Sequence, residues 1–341
     1  MNAPKLIIAG GSGFLGRALA AYFHELACDV CVLTRTPTSD STPPPDLPPA
    51  NCRKRWWDGR TLGEWANELE DATALVNLAG RSVDCRYHAR NRRLIMDSRV
   101  ESTRVLGEAV ARCARPPKVW LNSSTATIYK HSLDTPRDEA GLVGATPEAK
   151  DAFSIEVAQA WERTFAAAVV PRTRKVALRT AMVLGQQGGV FPALCRLARC
   201  GLGGPMATGK QFVSWIHELD FCRAVEWLIQ HHEIDGIVNL AAPGPLPNRE
   251  MMSIVRRACS VPFGLPAGQW MLEVGAFFIR TETELIIKSR RVIPGRLLTA
   301  GFDFWFSEFS QAIEDLLQRQ RRPPAMAEIF NARRLTSEPR N

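Results

Sequence analysis

A chain of 341 residues is long enough for one large α/β domain or for a nucleotide-binding domain with a smaller partner. Its composition, 45% hydrophobic and 23% charged, is that of an ordinary globular protein, and no stretch approaches the roughly 20 apolar residues of a membrane helix, so a membrane partner is not expected. The formal charge of +8 comes mainly from arginine and has no nucleic-acid motif beside it, so a nucleic-acid partner is not expected either.

The apolar run Lys5-Leu6-Ile7-Ile8-Ala9 leads straight into Gly10-Gly11-Ser12-Gly13-Phe14-Leu15-Gly16. That leaves no room for a cleavable leader, and the cytoplasm is the expected location. Residues 6–9, 17–26 and 30–33 read as strand, helix and strand, so the glycine turn sits where a dinucleotide fingerprint must sit. Each glycine of the Gly10, Gly13, Gly16 spacing has its own reason. The first permits the sharp turn, the second lets backbone approach a pyrophosphate, and the third lets the helix pack closely on the sheet. Phe14 and Leu15 open that helix, whose free N–H groups favour phosphate.

At the end of the second strand an NAD-binding protein carries an acidic residue that holds the ribose 2′-hydroxyl. Here stands Thr34-Arg35, a hydroxyl and a guanidinium that suit a 2′-phosphate, so NADP(H) is the expected cofactor. Asp58, after Trp56-Trp57, is a candidate for the adenine edge. Residues 36–51 are rich in proline and read as an extended surface loop. The strand at 74–77 ends in Leu78-Ala79-Gly80, expected to pass under the ribose and pyrophosphate. Arg86, Arg90, Arg92, Arg93, Arg99 and Arg104 then crowd one stretch. It reads as a solvated helix face, as a contact for cofactor phosphates or an acidic substrate, or as a nucleic-acid contact.

Strands at 119–124 and 175–184, with a helix at 152–168 between them, bring the expected parallel set to six. The fold class is therefore α/β: a Rossmann-type doubly wound parallel sheet over 1–185, with 212–242 returning to it. A smaller C-terminal substrate-capping region is expected from 186–211 and 243–318, and residues 319–341 read as a mobile tail or docked arm. The nine cysteines are scattered as buried apolar residues are. Cys28 and Cys31 form a lone CxxC in a strand with no histidine to complete a metal site, so no metal is expected.

Several further motifs follow in order: Asn77-Leu78-Ala79-Gly80, Ser98-Arg99-Val100, Arg179-Thr180-Ala181-Met182-Val183-Leu184-Gly185, Gly201-Leu202-Gly203-Gly204-Pro205 and Ser214-Trp215-Ile216-His217. The stretch Val292-Ile293-Pro294-Gly295-Arg296-Leu297-Leu298 and Gly301-Phe302-Asp303-Phe304 complete them. With the glycine turn, they make nearly the whole chain resemble an atypical extended short-chain dehydrogenase/reductase, of the epimerase-family group with a C-terminal module. The resemblance implies that Thr34, Arg35, Leu78, Ala79, Arg99 and Val183 touch the cofactor.

Short-chain dehydrogenases pass a proton through a Tyr-x-x-x-Lys pair one helical turn apart. This chain has Phe153 and Val157 in those places, so the dyad is absent. What remains is the strand-end hydroxyl cluster Ser123-Ser124-Thr125, expected near the nicotinamide, followed by Tyr129 and Lys130. Ser124, Thr125 and Tyr129 are the catalytic candidates, although Lys130 is poorly placed to tune its neighbour. His217, with Glu218 and Asp220 nearby, reads first as a structural histidine. The expected function is an NADP(H)-dependent oxidoreductase acting on a small molecule, as monomer or homodimer. The alternatives are an inactive NADP(H) sensor or scaffold and a nucleotide-sugar epimerase, the latter weakened by the missing dyad.

Overall fold

A computed structural model describes residues 3–35, 52–268 and 284–321. The proline-rich segment 36–51 and the chain beyond 321 lie outside the described residues. Strands β1 (Lys5–Ala9), β2 (Asp29–Thr34), β3 (Arg53–Trp56), β4 (Ala74–Asn77), β5 (Val119–Thr125) and β6 (Arg174–Thr180) alternate with helices α1 (Phe14–Glu25), α2 (Ala89–Arg112) and α3 (Ala152–Ala167). Then come β7 (Met182–Leu184), α4 (Phe191–Arg199), β8 (Phe212–Val213), β9 (Trp215–His217), α5 (Glu218–Gln230), β10 (Gly236–Leu240), β11 (Leu246–Pro247) and α6 (Asn248–Ala258). The short helices α7 (Glu284–Ile287) and α8 (Gly295–Thr299) precede α9 (Phe309–Arg321).

Seven strands pair in parallel in the order β10-β6-β5-β4-β1-β2-β3. The inner strands are aliphatic on both faces because both faces are covered. Leu6 and Ile8 of β1 pack towards α1 and α5 with Phe23, Phe221 and Leu228. Ile7 and Ala9 pack on the opposite side, in the cluster of Val105, Leu106 and Trp120. The chain runs outwards from β1 through β2 to β3, then returns to place β4 on the other side of β1. The loops leaving β1 and β4 therefore diverge, opening a crevice at the carboxyl ends of the strands, where open α/β sheets bind ligands.

The sheet has seven strands where six were expected. The polar run Arg53-Lys54-Arg55-Trp56 shows no apolar alternation, yet it forms the edge strand β3 through ion pairs. Arg53 bonds Asp29 at 2.8 Å and Glu68 at 2.7 Å, and Arg55 bonds Glu68 at 2.7 Å. The single strand expected at 175–184 is two. β6 ends at Thr180, and β7 leaves the sheet to pair with β9.

A second core unites α4, α6 and α9 through Phe191, Leu194, Met252, Val255, Ile313 and Leu316. Helix α9 continues to Arg321, and Arg319 pairs with Glu218 at 3.0 Å. The expected tail boundary at 319 therefore falls inside a packed helix. No helix among the described residues is long and apolar enough to cross a membrane.

Candidate functional site

The glycine turn shows why three different positions require glycine. Gly10 has φ +79°, and a Cβ there would lie 2.8 Å from the backbone nitrogen of Ala79. A Cβ on Gly16 would stand 2.6 Å from the Gly10 carbonyl oxygen, because α1 packs directly onto the turn. Gly13 is different: its Cβ would meet nothing nearer than the Gly10 oxygen at 3.4 Å and would stand in the cleft that Gly13 lines. Gly13 is also the N-cap of α1 and supplies no side-chain cap. The N–H groups of the first turn, Phe14 to Gly16, are thus left for a ligand, and the helix dipole favours an anion there. A cradle of this shape fits a dinucleotide pyrophosphate.

From this turn a cleft of about 540 Å³ runs over the ends of β4, β5 and β6 to the first turns of α3. Gly10, Gly13, Phe14, Leu15 and Gly16 line one end of it. Leu78, Gly80, Arg99, Ser123, Ser124, Thr125 and Val183 line its middle and far parts. Thr34, Arg35, Asp58, Ala79 and Tyr129 do not line it. Ala79 contributes backbone beneath Gly10, and its N–H donates to Asn77 Oδ1 at 3.0 Å. Thr34 is buried at the end of β2, with Arg35 exposed beside it.

Asp58 accepts from the N–H groups of Arg60 and Thr61 at 2.8 and 2.9 Å and from the Thr61 hydroxyl at 2.7 Å. Burial pushes its carboxyl up, but these bonds outweigh that and hold it below the usual carboxylate range. It is therefore an ionised acceptor locked in a turn.

Arg99 carries the most informative charge. It packs over the Trp161 ring at 5.1 Å, and its Nη1 donates to the carbonyls of Arg81 at 3.0 Å and Ile95 at 3.1 Å. Burial pushes it down to about 10. Among the described residues no carboxylate stands within ion-pair distance of it. A guanidinium fed only by carbonyls in a cleft wall is a site for an anion. Below it, Asn77 donates to Asn122 at 2.7 Å and Trp161 to Thr103 at 2.9 Å, a buried network that fixes the Leu78–Gly80 turn.

The catalytic candidates separate. Ser124 donates to Glu162 Oε1 at 2.6 Å, and Glu162 is itself clamped by Arg179 at 2.8 Å. The hydroxyl proton of Ser124 is thus engaged behind the strand rather than towards the cleft. Thr125 caps the short turn at 126–128 by accepting from the Thr127 N–H at 3.1 Å. Tyr129 is a correction. Its ring is buried, Arg179 lies 4.9 Å over it, and its hydroxyl donates to Asn239 Oδ1 at 2.7 Å, away from the cleft.

His217 is wholly buried. Its Nδ1 accepts from the Leu219 N–H at 3.1 Å, and its Nε2 faces Asp315 at 3.2 Å, so it caps α5 and ties it to α9. Phe153 and Val157 both line the cleft, confirming in space that the dyad positions are apolar.

Several residues at the far end had no sequence signal. Tyr87 lines the cleft, and its ring packs edge-on against Phe153 at 5.1 Å. Ser154, also lining, donates to Glu284, which is buried and pushed up by that burial. Lys288 bonds Asp151 and the Thr127 carbonyl, and Arg290 bonds the Thr127 hydroxyl at 3.2 Å. Only contacts spanning more than a hundred residues assemble this cluster, and no local motif announces it.

With that geometry in hand, comparison with known proteins places the chain. Residues 6–241 match the NAD dependent epimerase/dehydratase family, and residues 268–316 match a domain of unknown function (DUF1731). The epimerase family protein SDR39U1 of Bos taurus is 30% identical over 92% of this chain and 99% of its own length. An epimerase family protein of Mycobacterium leprae is 31% identical over 90% and 93%. The crystal structure of human SDR39U1 (isoform 2) with NADPH superposes with a TM-score of 0.79 at 26% identity, covering 92% of this chain and 99% of that one. A nucleoside-diphosphate sugar epimerase from Corynebacterium glutamicum shares the fold, with a TM-score of 0.70 at 24% identity over 99% of this chain and 67% of that one. The chain belongs to the NAD dependent epimerase/dehydratase family.

Proposed function

We propose that this protein binds NADP(H) and is an oxidoreductase of atypical short-chain type, acting on a small molecule with a carbonyl or hydroxyl group. The observation that carries the reading is the Gly10–Gly16 cradle opening at the switch point of the sheet, beside a strand end that is basic rather than acidic. The NADPH in the crystal structure of a human relative supports the same choice of cofactor.

In this reading the first-turn N–H groups of α1 hold the pyrophosphate, and Arg99 adds a cation to the same cleft. Thr34 and Arg35 hold the 2′-phosphate, Asp58 accepts from the adenine edge, and Leu78, Ala79 and Gly80 form the floor. Ser123, Thr125 and Val183 bound the nicotinamide end. When bound, the nicotinamide supplies the hydride acceptor or donor. The apolar pair Phe153 and Val157 narrows that end and excludes water from it. The protein works in the cytoplasm as a monomer or homodimer, without a membrane or nucleic-acid partner.

One observation favours a second reading, a sensor that binds NADP(H) without turnover. The dyad positions are apolar, and the hydroxyl proton of Ser124 is committed to Glu162. The two readings part on turnover. NADPH oxidation, followed at 340 nm across a panel of aliphatic and aromatic aldehydes and ketones, is expected to appear with at least one class. Saturable NADPH binding with no oxidation across the panel would select the sensor.

A further inference from the structure

The tyrosine missing at position 153 is replaced in space by another. Tyr87, from the loop before α2, lines the cleft and lays its ring on Phe153 at a centroid distance of 5.1 Å and an interplanar angle of 69°. A phenol thus reaches the dyad position from the opposite wall. The Ser154 hydroxyl stands beside it and donates to Glu284. Cations flank this chain of groups: Arg99 of α2 on the cofactor side and Arg290 behind it, both acting on Tyr87. Cys85 on its own loop also acts on Tyr87, and Asp151 of α3 and Lys288 beyond α7 face Glu284.

We propose that Tyr87 is the proton-donating phenol of this cleft and that Ser154 and Glu284 form the path returning a proton to it. The proposal rests on the oxidoreductase reading above. In the reducing direction the Tyr87 O–H bond breaks and its proton goes to the carbonyl oxygen of the substrate, while the carbonyl carbon gains the hydride pair drawn from the reduced cofactor. The phenolate then takes the Ser154 proton, Ser154 takes one from the Glu284 carboxyl, and Glu284 recovers its proton from water. The net change is carbonyl plus hydride plus proton to alcohol. In the free protein, burial and Glu284 push the phenol up to about 12, so it is loaded with its proton at neutral pH. Burial likewise pushes Glu284 up, so that it carries a proton to give at higher pH than an exposed carboxyl would.

The test needs no substrate. The chain has three tyrosines, so protein labelled with ¹³C at the tyrosine Cζ gives three resonances, each moving when its phenol ionises. Tyr87→Phe assigns one; should that variant not fold, Tyr22→Phe and Tyr129→Phe assign it by elimination. The nicotinamide ring is cationic only in its oxidised form, so a phenol beside it must ionise more easily with NADP⁺ than with NADPH. The expected result is a Tyr87 midpoint lower by about one pH unit or more in the NADP⁺ complex. Glu284→Gln in the free protein is also expected to lower it. Equal midpoints in the two complexes, with both cofactors bound, would overturn the role of Tyr87 and leave the cofactor reading intact. Failure of both cofactors to change any resonance or to bind would overturn the cofactor reading, and this proposal with it.

Discussion

Gly13→Ser separates binding from folding at one atom. Gly13 has φ −76° and ψ 171° at the N-cap of α1, a conformation serine adopts readily. A Cβ there meets nothing nearer than 3.4 Å. Serine also supplies a cap oxygen that glycine lacks, so the fold should lose nothing and gain up to a few tenths of a kcal/mol. In the cleft the same side chain stands where a phosphate must approach. Losing one charge-assisted hydrogen bond from backbone to phosphate costs about 1.5–3 kcal/mol, a weakening of roughly ten- to more than a hundredfold.

Thermal unfolding and NADPH emission titration, run on the same preparation, read the two effects. Gly16→Ala is the control: its Cβ would lie 2.6 Å from the Gly10 oxygen, so it should lower Tm through overpacking of about 1–3 kcal/mol. Wild-type NADPH affinity in Gly13→Ser would refute the claim that this turn cradles phosphate.

Arg35→Ala should weaken NADPH by about tenfold or more while leaving NADH unchanged, as competitive titration would show. Arg179→Leu, which strands the buried Glu162 carboxylate, should cost about 3–5 kcal/mol in urea unfolding, and the double variant with Glu162→Leu should recover most of that. Glu284 gives a pH signature. Its folded carboxyl is raised, so its contribution is complete below the unfolded value of 4.5 and is lost as pH rises through the folded value. Wild type should therefore lose stability relative to Glu284→Gln as pH climbs above 4.5, and parallel stability curves would contradict this sign.

Local chemistry decided which features were legible in the sequence. The glycine turn was legible because three residues within seven positions carry the whole constraint, and its context of strand and helix is adjacent. Arg35 was legible because its place is fixed relative to the end of β2. Strand β3 was not, since ion pairs to Asp29 and Glu68 replace the apolar pattern that marks a strand. Tyr129 follows the hydroxyl cluster in sequence, but the turn at 126–128 drops it into the core onto Asn239, a partner 110 residues away. Tyr87, Ser154 and Glu284 escaped for the same reason. The contact between Ser154 and Glu284 spans 130 residues and obeys no local periodicity.

The central claim, that this cleft is an NADP(H) site, meets its most direct test in parallel emission titrations of the full chain with NADPH and NADH near neutral pH. The account predicts saturable binding of NADPH, tighter than NADH by about tenfold or more. Tighter binding of NADH, or no binding of either at high micromolar concentration, would contradict it.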